Sequence, residues 1–394
     1  MKDLGRAAGS EVSHPFVGGI VRRAFTVAQT EPEAVGELRR HIGDEPLALL
    51  LVFTSPRYDR DALARSLGEG FPGTAIIGCT TAGEITGQGY AEGHIVAIGL
   101  PSRYFVAAIH LIEDLDAFDA RATTRGVLDL RTAIAAERPD WPNDFFLLLA
   151  DGLARKEDQI VAALAQSTGP IPLFGGSAGD GLDFRQTFVL HGGRFRSNAA
   201  LLALVRTCCG VRVFCFDHLV PSETRMVVTE AIPEERLVRE INAEPAAREY
   251  ARMVGKDPYQ LSPFIFAAHP VVVRIGGKHH VRAIQKVEES GDLRFYSAID
   301  EGLVLTVAEA QDIVRHLDGA LDSLATGGRP DTIIGCDCIL RRLEAEQNQA
   351  VGELSRVLAR HGVVGFSTYG EQYNQLHVNQ TLTGVAIYAP GILA

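Results

Sequence analysis

The stretch AIIGCTTAGEI, Ala75–Ile85, decides the fold. A short apolar run stops at a glycine. Two hydroxyl residues follow, then a second glycine, then an acid. The same order returns twice, in IPLFGGSAGDGL (Ile171–Leu182) and in GVVGFSTYGEQY (Gly362–Tyr373). The shared form is apolar run, glycine, any residue, serine or threonine, a short spacer, glycine, acid.

The surroundings repeat as well. LALLLVFTS (Leu47–Ser55), NDFFLLLAD (Asn143–Asp151) and PDTIIGC (Pro330–Cys336) read as buried strands. Each is followed by a helical pattern, Asp59–Gly68, Lys156–Gly169 and Leu343–Gly362, with a glycine at its end. A second apolar run then leads into each motif. Leu47 to Gly78, Phe145 to Gly175 and Thr332 to Gly365 are separated by 31, 30 and 33 residues. Near-constant spacing marks repeated units, each with the length of a right-handed crossover between parallel strands.

Alternating strands follow each motif: His94–Leu100 and Tyr104–Ile112, then Ala200–Val205 and Val211–Leu219, then Gln380–Ala389. The expected class is α/β, with mixed sheets built from three strand–helix–strand–glycine-loop units, two in the N-terminal half and one in the C-terminal half. Glu234–Gly255 reads as a helical connector broken near Pro245, Phe266–Ile299 as a meander, and Val307–Ala325 as a helix. The expected domains are 1–235 and 236–394, the second starting with the connector.

Composition narrows the function. The chain has 394 residues, 46% hydrophobic and 22% charged, with a net charge of −11. That charge argues against nonspecific nucleic-acid binding. The longest clean apolar run, Leu47–Phe53, is far short of a membrane span. MKDLGRAAGSEV at the start lacks the apolar segment of a secretory leader, so a cytoplasmic location is expected. The six cysteines form no C-x-x-C pair, and buried free thiols are expected.

A glycine after a strand permits a sharp turn, and the hydroxyls and acid can satisfy the loop's own backbone. Alternatively, three such loops at strand ends could line one ligand cavity. On that reading the binding residues are Gly78, Thr80, Thr81, Glu84, Gly176, Ser177, Asp180, Thr368, Tyr369 and Glu371. Gly175–Gly179 also fits G-x-S-x-G, which would make Ser177 a hydrolase nucleophile. That signature needs a helix after the turn, and the residues after Gly179 do not read as one.

Taken together, GCTTAGEI, GGSAGDG, the segment from Val227 to Gly255, HPVVVRIGGKHHVRAI and GFSTYGEQYNQLHVNQTLTGVAIY resemble FIST proteins. The resemblance runs from about Ile20 to Ala389. It implies a non-catalytic sensory module that binds a small ligand such as an amino acid. SAIDEGLVLTVAEA and GCDCILRRLE further resemble the nitric-oxide-sensing branch of that family, NosP. This implies heme b, nitric oxide as signal, and a partner histidine kinase, diguanylate cyclase or phosphodiesterase. Heme needs an axial ligand, an apolar slot and cations for its propionates. The ligand candidates are His269, His377, His191 and Cys338. Arg282 and Arg341 are candidates for the propionates or a ligand carboxylate. No metal other than heme iron is expected, and exposed strand edges are compatible with a homodimer.

Overall fold

The computed structural model describes residues 19–275 and 277–392. Residues 1–18, where no secretory leader is read, Gly276 of the GGK turn, and residues 393–394 lie outside the described residues. The chain runs three times through one series of elements: strand, helix, strand, helix, strand, hairpin, strand. The first pass is β1 (Arg22–Thr26), α1 (Glu31–Ile42), β2 (Leu47–Thr54), α2 (Arg60–Gly70), β3 (Ile76–Thr80), the hairpin β4 (Glu84–Thr86) and β5 (Gly89–Ala91), and β6 (Ile95–Pro101). The second is β7 (Phe105–Ile112), α3 (Ala120–Ala136), β8 (Asn143–Ala150), α4 (Glu157–Ala165), β9 (Leu173–Ser177), the hairpin β10 (Val189–His191) and β11 (Arg194–Arg196), and β12 (Ala200–Thr207).

The third pass opens with β13 (Cys209–Phe216) and is then interrupted by an insert. The insert holds β14 (Leu219–Ile232), β15 (Leu237–Ile241), β16 (Glu244–Pro245), α5 (Ala246–Met253), α6 (Pro263–Ala268), β17 (Val271–Ile275), β18 (Lys278–Val281), β19 (Ile284–Val287), β20 (Leu293–Phe295) and β21 (Val304–Ala310). The pass resumes with α7 (Ile313–Leu324), β22 (Thr332–Cys338), α8 (Ile339–Gln347), α9 (Val351–Arg360), β23 (Val363–Thr368), the hairpin β24 (Glu371–Tyr373) and β25 (Leu376–Val378), and β26 (Leu382–Pro390).

Three six-stranded sheets result, in the orders β1-β6-β2-β3-β10-β11, β7-β12-β8-β9-β24-β25 and β13-β26-β22-β23-β4-β5. In each, the two strands joined by a crossover are parallel: β2 with β3, β8 with β9, β22 with β23. Each hairpin leaves its own pass and extends a neighbour's sheet. The first joins the third sheet, the second joins the first, and the third joins the second. The sheets are thereby linked into a closed ring of three blades.

Alternation along the parallel strands explains their unbroken apolar sequences. Leu49, Leu51 and Phe53 face a core shared by all three blades, as do Phe145, Leu147 and Leu149, and Ile334 and Cys336. Phe53 and Phe366 stack there with centroids 4.4 Å apart. The alternate residues Leu50 and Val52 pack under α1 and α2, and Phe146 and Leu148 under α3 and α4. Ile333 packs under α7 and α9. Strands buried on both faces read as continuous hydrophobic runs.

The insert forms its own eight-stranded sheet around a core drawn entirely from residues 226–307. It caps the end of the ring where the glycine loops lie. Ala267, Val272 and Tyr296 of this cap share a cluster with Ala82, Cys338, Leu340 and Tyr369 of the ring.

Three expectations are corrected. The connector over 234–245 is not an α-helix: after a single 3-10 turn at Pro233–Glu235, β15 and β16 form a hairpin whose turn residues Asn242 and Ala243 both have positive φ, as a type I′ turn requires. Only its second half is a helix, α5. The helix expected from Val307 starts at Ile313, where the Asp312 carboxylate accepts from Val314 and Arg315 amides at 3.0 Å. The long helix before the third motif is two, α8 and α9, broken where Gln349 takes a φ of 56°.

The first motif glycine is a steric requirement. A Cβ on Gly78 would stand 1.8 Å from the carbonyl oxygen of Val52 on the parallel strand. On Gly175 it would stand 2.1 Å from Leu148 oxygen, and on Gly365 1.9 Å from Gly335 oxygen. In the second motif the equivalent position is therefore Gly175, one before the Gly176 singled out above. Gly78→Ala and Gly175→Ala are predicted to cost at least about 3 kcal/mol each, because two backbones would have to part. Gly36→Ala in α1, where nothing lies within 4 Å, is predicted to stabilise by about 0.5–1 kcal/mol. Urea denaturation of the three variants checks both signs.

Candidate functional site

The three glycine loops face one another. Gly179 and Gly181 amides donate to Thr80 and Thr81 carbonyls at 3.0 and 3.2 Å. Ser177 amide donates to Gly370 carbonyl at 2.9 Å, and Thr368 hydroxyl to Ser177 carbonyl at 2.7 Å. Ala82 amide donates to Ser367 carbonyl at 2.9 Å, and Ser367 amide to Gly83 carbonyl at 2.7 Å. The loops thus lock in a cycle.

Their acids hold backbone. Glu84 accepts from Thr81 hydroxyl and from His94 amide at 2.9 Å. Glu371 accepts from Thr381 amide and hydroxyl at 3.1 and 2.8 Å. Asp180 accepts from the amides of Phe184, Arg185 and Gln186 and from Tyr369 hydroxyl. Asp151, which the sequence reading did not single out, accepts from Asn198 amide and Thr187 hydroxyl, as Glu84 and Glu371 do in their own passes.

Beside the second and third loops lies a buried polar junction where two blades meet the cap. Glu157, in the first turn of α4, pairs with cap Arg236 at 2.7 Å and accepts from Ser177 hydroxyl at 3.4 Å. Arg236 also pairs with Asp158 at 3.1 Å and donates to Tyr296 carbonyl. Gln372 on β24 donates to Ser177 hydroxyl at 3.0 Å and approaches His377 Nδ1 at 3.5 Å. A Cβ on Gly370 would stand 2.3 Å from His377 Cε1 and 3.2 Å from Asn379 Nδ2, so the glycine seats both side chains. Burial drives the His377 pKa down, opposed by Glu157 and Asp158, and keeps the ring neutral.

Several of these groups are unsatisfied. Among the described residues, Arg282 Nε, Ser297 Oγ, Gln372 Oε1, Gln380 Oε1 and both amide atoms of Asn379 have no hydrogen-bond partner. Burial also lowers the Arg282 pKa, against the pull of Asp158. Folded proteins leave few buried polar atoms unpaired, and each costs about 1–3 kcal/mol. Several in one junction mark a place prepared for other polar atoms.

The remaining candidates are dispersed. Arg341 is in a different buried network, donating to Asp337 at 2.8 Å and to His218 Nδ1 at 2.9 Å. Cys338 is fully buried beside Glu371, and burial holds its thiol protonated. His269 ends α6, half-buried, its carbonyl accepting from Tyr250 hydroxyl at 2.8 Å. His191 lies on β10, lining a cavity of about 280 Å³ with Leu67, Phe71, Ile76, Ile109 and Leu190. Among the described residues, Ser177 hydroxyl bonds no histidine, and residues 178–188 after it form no helix.

Glu157, Arg236, Ser297, Gln372, Asn379 and Gln380 were missed. The available signal was the density of amides in EQYNQLHVNQ, residues 371–380, within a segment otherwise patterned as buried strand.

Models of two protein families match the chain. The FIST N domain matches residues 48–244 and the FIST C domain residues 246–374. An uncharacterized protein of Methanocaldococcus jannaschii is 24% identical over 311 residues, covering 73% of this chain and 58% of that protein. The chain thus spans little more than half the length of that relative. The border between the matched domains falls inside the cap, at the hairpin of β15 and β16.

Glu84 makes a measurable pH signature. Burial pushes its carboxyl up to about 7, against its hydrogen bonds and Arg342. The unfolded chain releases that proton near about 4.3. Between these values the folded state binds more protons, so stability falls as pH rises, by up to roughly 3–4 kcal/mol. Glu84→Gln removes this slope. Its stability relative to wild type is predicted to rise between pH 5 and pH 8 in urea denaturation.

Proposed function

The chain belongs to the FIST family through both its N and its C domain, and we propose that it is a signalling sensor for a small polar ligand held at the ring–cap junction. The observation that carries this reading is the set of buried, unpartnered polar atoms at that junction. They prescribe a ligand. Among the described residues Arg282 forms no ion pair, its guanidinium donating to Val281 carbonyl at 3.3 Å with Nε unpartnered, and it calls for an anionic group such as a carboxylate. The free carbonyl oxygens of Gln372, Gln380 and Asn379 call for donors, as an ammonium or amide would supply. Asn379 Nδ2 and Ser297 hydroxyl add donors of their own. An amino acid carries both kinds of group. Low local dielectric makes each such bond stronger than in water.

The heme reading fits the residues less well. The four ligand candidates lie in different surroundings, and a protonated Cys338 is a poor thiolate donor. His191 lines the one apolar-walled cavity among the four, and its 280 Å³ falls below the roughly 300–1,000 Å³ of ordinary cofactor sites. On the resemblance alone, the partner reading the signal is proposed to be a histidine kinase, diguanylate cyclase or phosphodiesterase. The FIST domains are sensory, and Ser177 lacks the imidazole a hydrolase would need.

Arg282→Met tests the site. Removing an unmatched buried cation is predicted to leave the free protein as stable or about 1 kcal/mol more stable. It is also predicted to abolish the melting-temperature rise that an effective amino acid produces in a thermal-shift screen. A saturable one-to-one hemin Soret band, shifted by nitric oxide and lost in His191→Ala, would overturn the polar-ligand reading.

A further inference from the structure

The polar junction is buried on both sides, so a ligand reaches it only if ring and cap part. The covalent and hydrogen-bonded layout shows where. The chain enters the cap after His218 and leaves it before Gln311. These two crossings run side by side: Leu219 pairs with Ala310, and Gln311 amide donates to His218 carbonyl at 2.9 Å. No strand of the cap's sheet pairs with a strand of the ring's sheets among the described residues. The cap's core is its own. Its edge strand β18 and the ring's edge strand β25 instead face each other across a groove of about 210 Å³, lined by Val272, Val281, Tyr373, Leu376 and Val378. The residues beside Val281 and Val378 in sequence, Arg282, His377 and Asn379, belong to the polar junction.

The crossing is itself pinned. Arg341 donates to His218 Nδ1, so the His218 proton sits on Nε2 and is donated to Glu344 at 2.8 Å. Arg341 continues to Asp337, which accepts from Tyr90 hydroxyl on the hairpin of the first pass. The crossing is thus fastened by side chains to the third blade, including the first-pass hairpin that completes its sheet.

We infer that residues 219–310 swing as one body on the paired crossing at His218 and Gln311, opening the ring–cap seam to admit ligand. Closing brings cap Arg282 and Ser297 to ring Gln372 and Asn379. A ligand that bridges both sets binds the closed state alone and shifts the population toward it. What closes the seam rests on the polar-ligand reading above; that the seam opens does not.

The chain carries its own reporters. Cys338 is fully buried in the seam cluster, whereas Cys79 is fully buried in the shared ring core. Burial raises both thiol pKa values, so neither is chemically favoured. The test is N-ethylmaleimide labelling of the full-length native protein, with each thiol followed by peptide mass spectrometry. Cys338 is expected to label at least tenfold faster than Cys79. Glu344→Gln, which removes the charge at the pin, is expected to speed Cys338 a further three- to tenfold and leave Cys79 unchanged. An equimolar mixture of the proteinogenic amino acids other than cysteine, whose thiol would consume the maleimide, at about 1 mM each is expected to slow Cys338 alone. Equal labelling of the two thiols in wild type, both limited by global unfolding, would overturn the hinge whatever the mixture does. Fast Cys338 labelling indifferent to the mixture would uphold the hinge and sink the amino-acid reading.

Discussion

Three glycines meet three carbonyls at van der Waals limits that no other residue can meet. At Gly78, Gly175 and Gly365 the second strand of each parallel pair comes so close to the first that a Cβ would stand about 2 Å from a backbone oxygen. That approach lets each strand end turn inward at once. The turned ends reach one another and lock through their own amides and carbonyls. Everything else follows from this tight centre. The loops can be buried because their backbone is satisfied, and their acids can be buried because they hold the backbone of the strands that follow. The hairpins are then delivered to neighbouring blades.

The junction with the cap is matched less fully. Around the ring axis the loop backbones satisfy one another, and the unpartnered side-chain atoms there are, among the described residues, Ser367 Oγ and Glu371 Oε1. At the cap, Arg282, Gln372 and both amide atoms of Asn379 keep polar atoms without partners among the described residues. A fold able to satisfy three interlocking loops is not short of means to satisfy these, and replacing them with apolar residues would stabilise the closed form. Their retention makes sense if the closed form is meant to be completed from outside.

The sequence made some of this legible and hid the rest for physical reasons. Leu47–Phe53 and its two counterparts announced themselves because strands buried on both faces leave no polar gap. The glycine motifs were legible as loops, and their repetition as repeated units. The exchange of hairpins was not. Glu84–Thr86 is three residues long and pairs with Gly365 and Phe366, so no local period records its partner. The 234–245 segment misled because its turn uses Asn242 and Ala243 where a glycine would have signalled a hairpin. At the site, His377 and Arg282 were noticed for their chemistry. Glu157 read as an ordinary acid at a helix start, and Arg236 sat in a stretch read as helix. Only burial against each other reveals them as one ion pair.

The exchanged hairpins also set a timetable. During synthesis, β4 and β5 leave the ribosome long before β22, β23 and β26, the strands whose sheet they complete. Ile85 and its partner Gly365 are 280 residues apart. At about 5–20 residues per second that interval is on the order of tens of seconds. Through it the nascent chain carries the β4–β5 segment with no sheet to join, and the edge of β9 waits for β24. Such unpaired edges template wrong pairings. The ring is therefore a structure completed in a single late step, and its vulnerable period is its own translation.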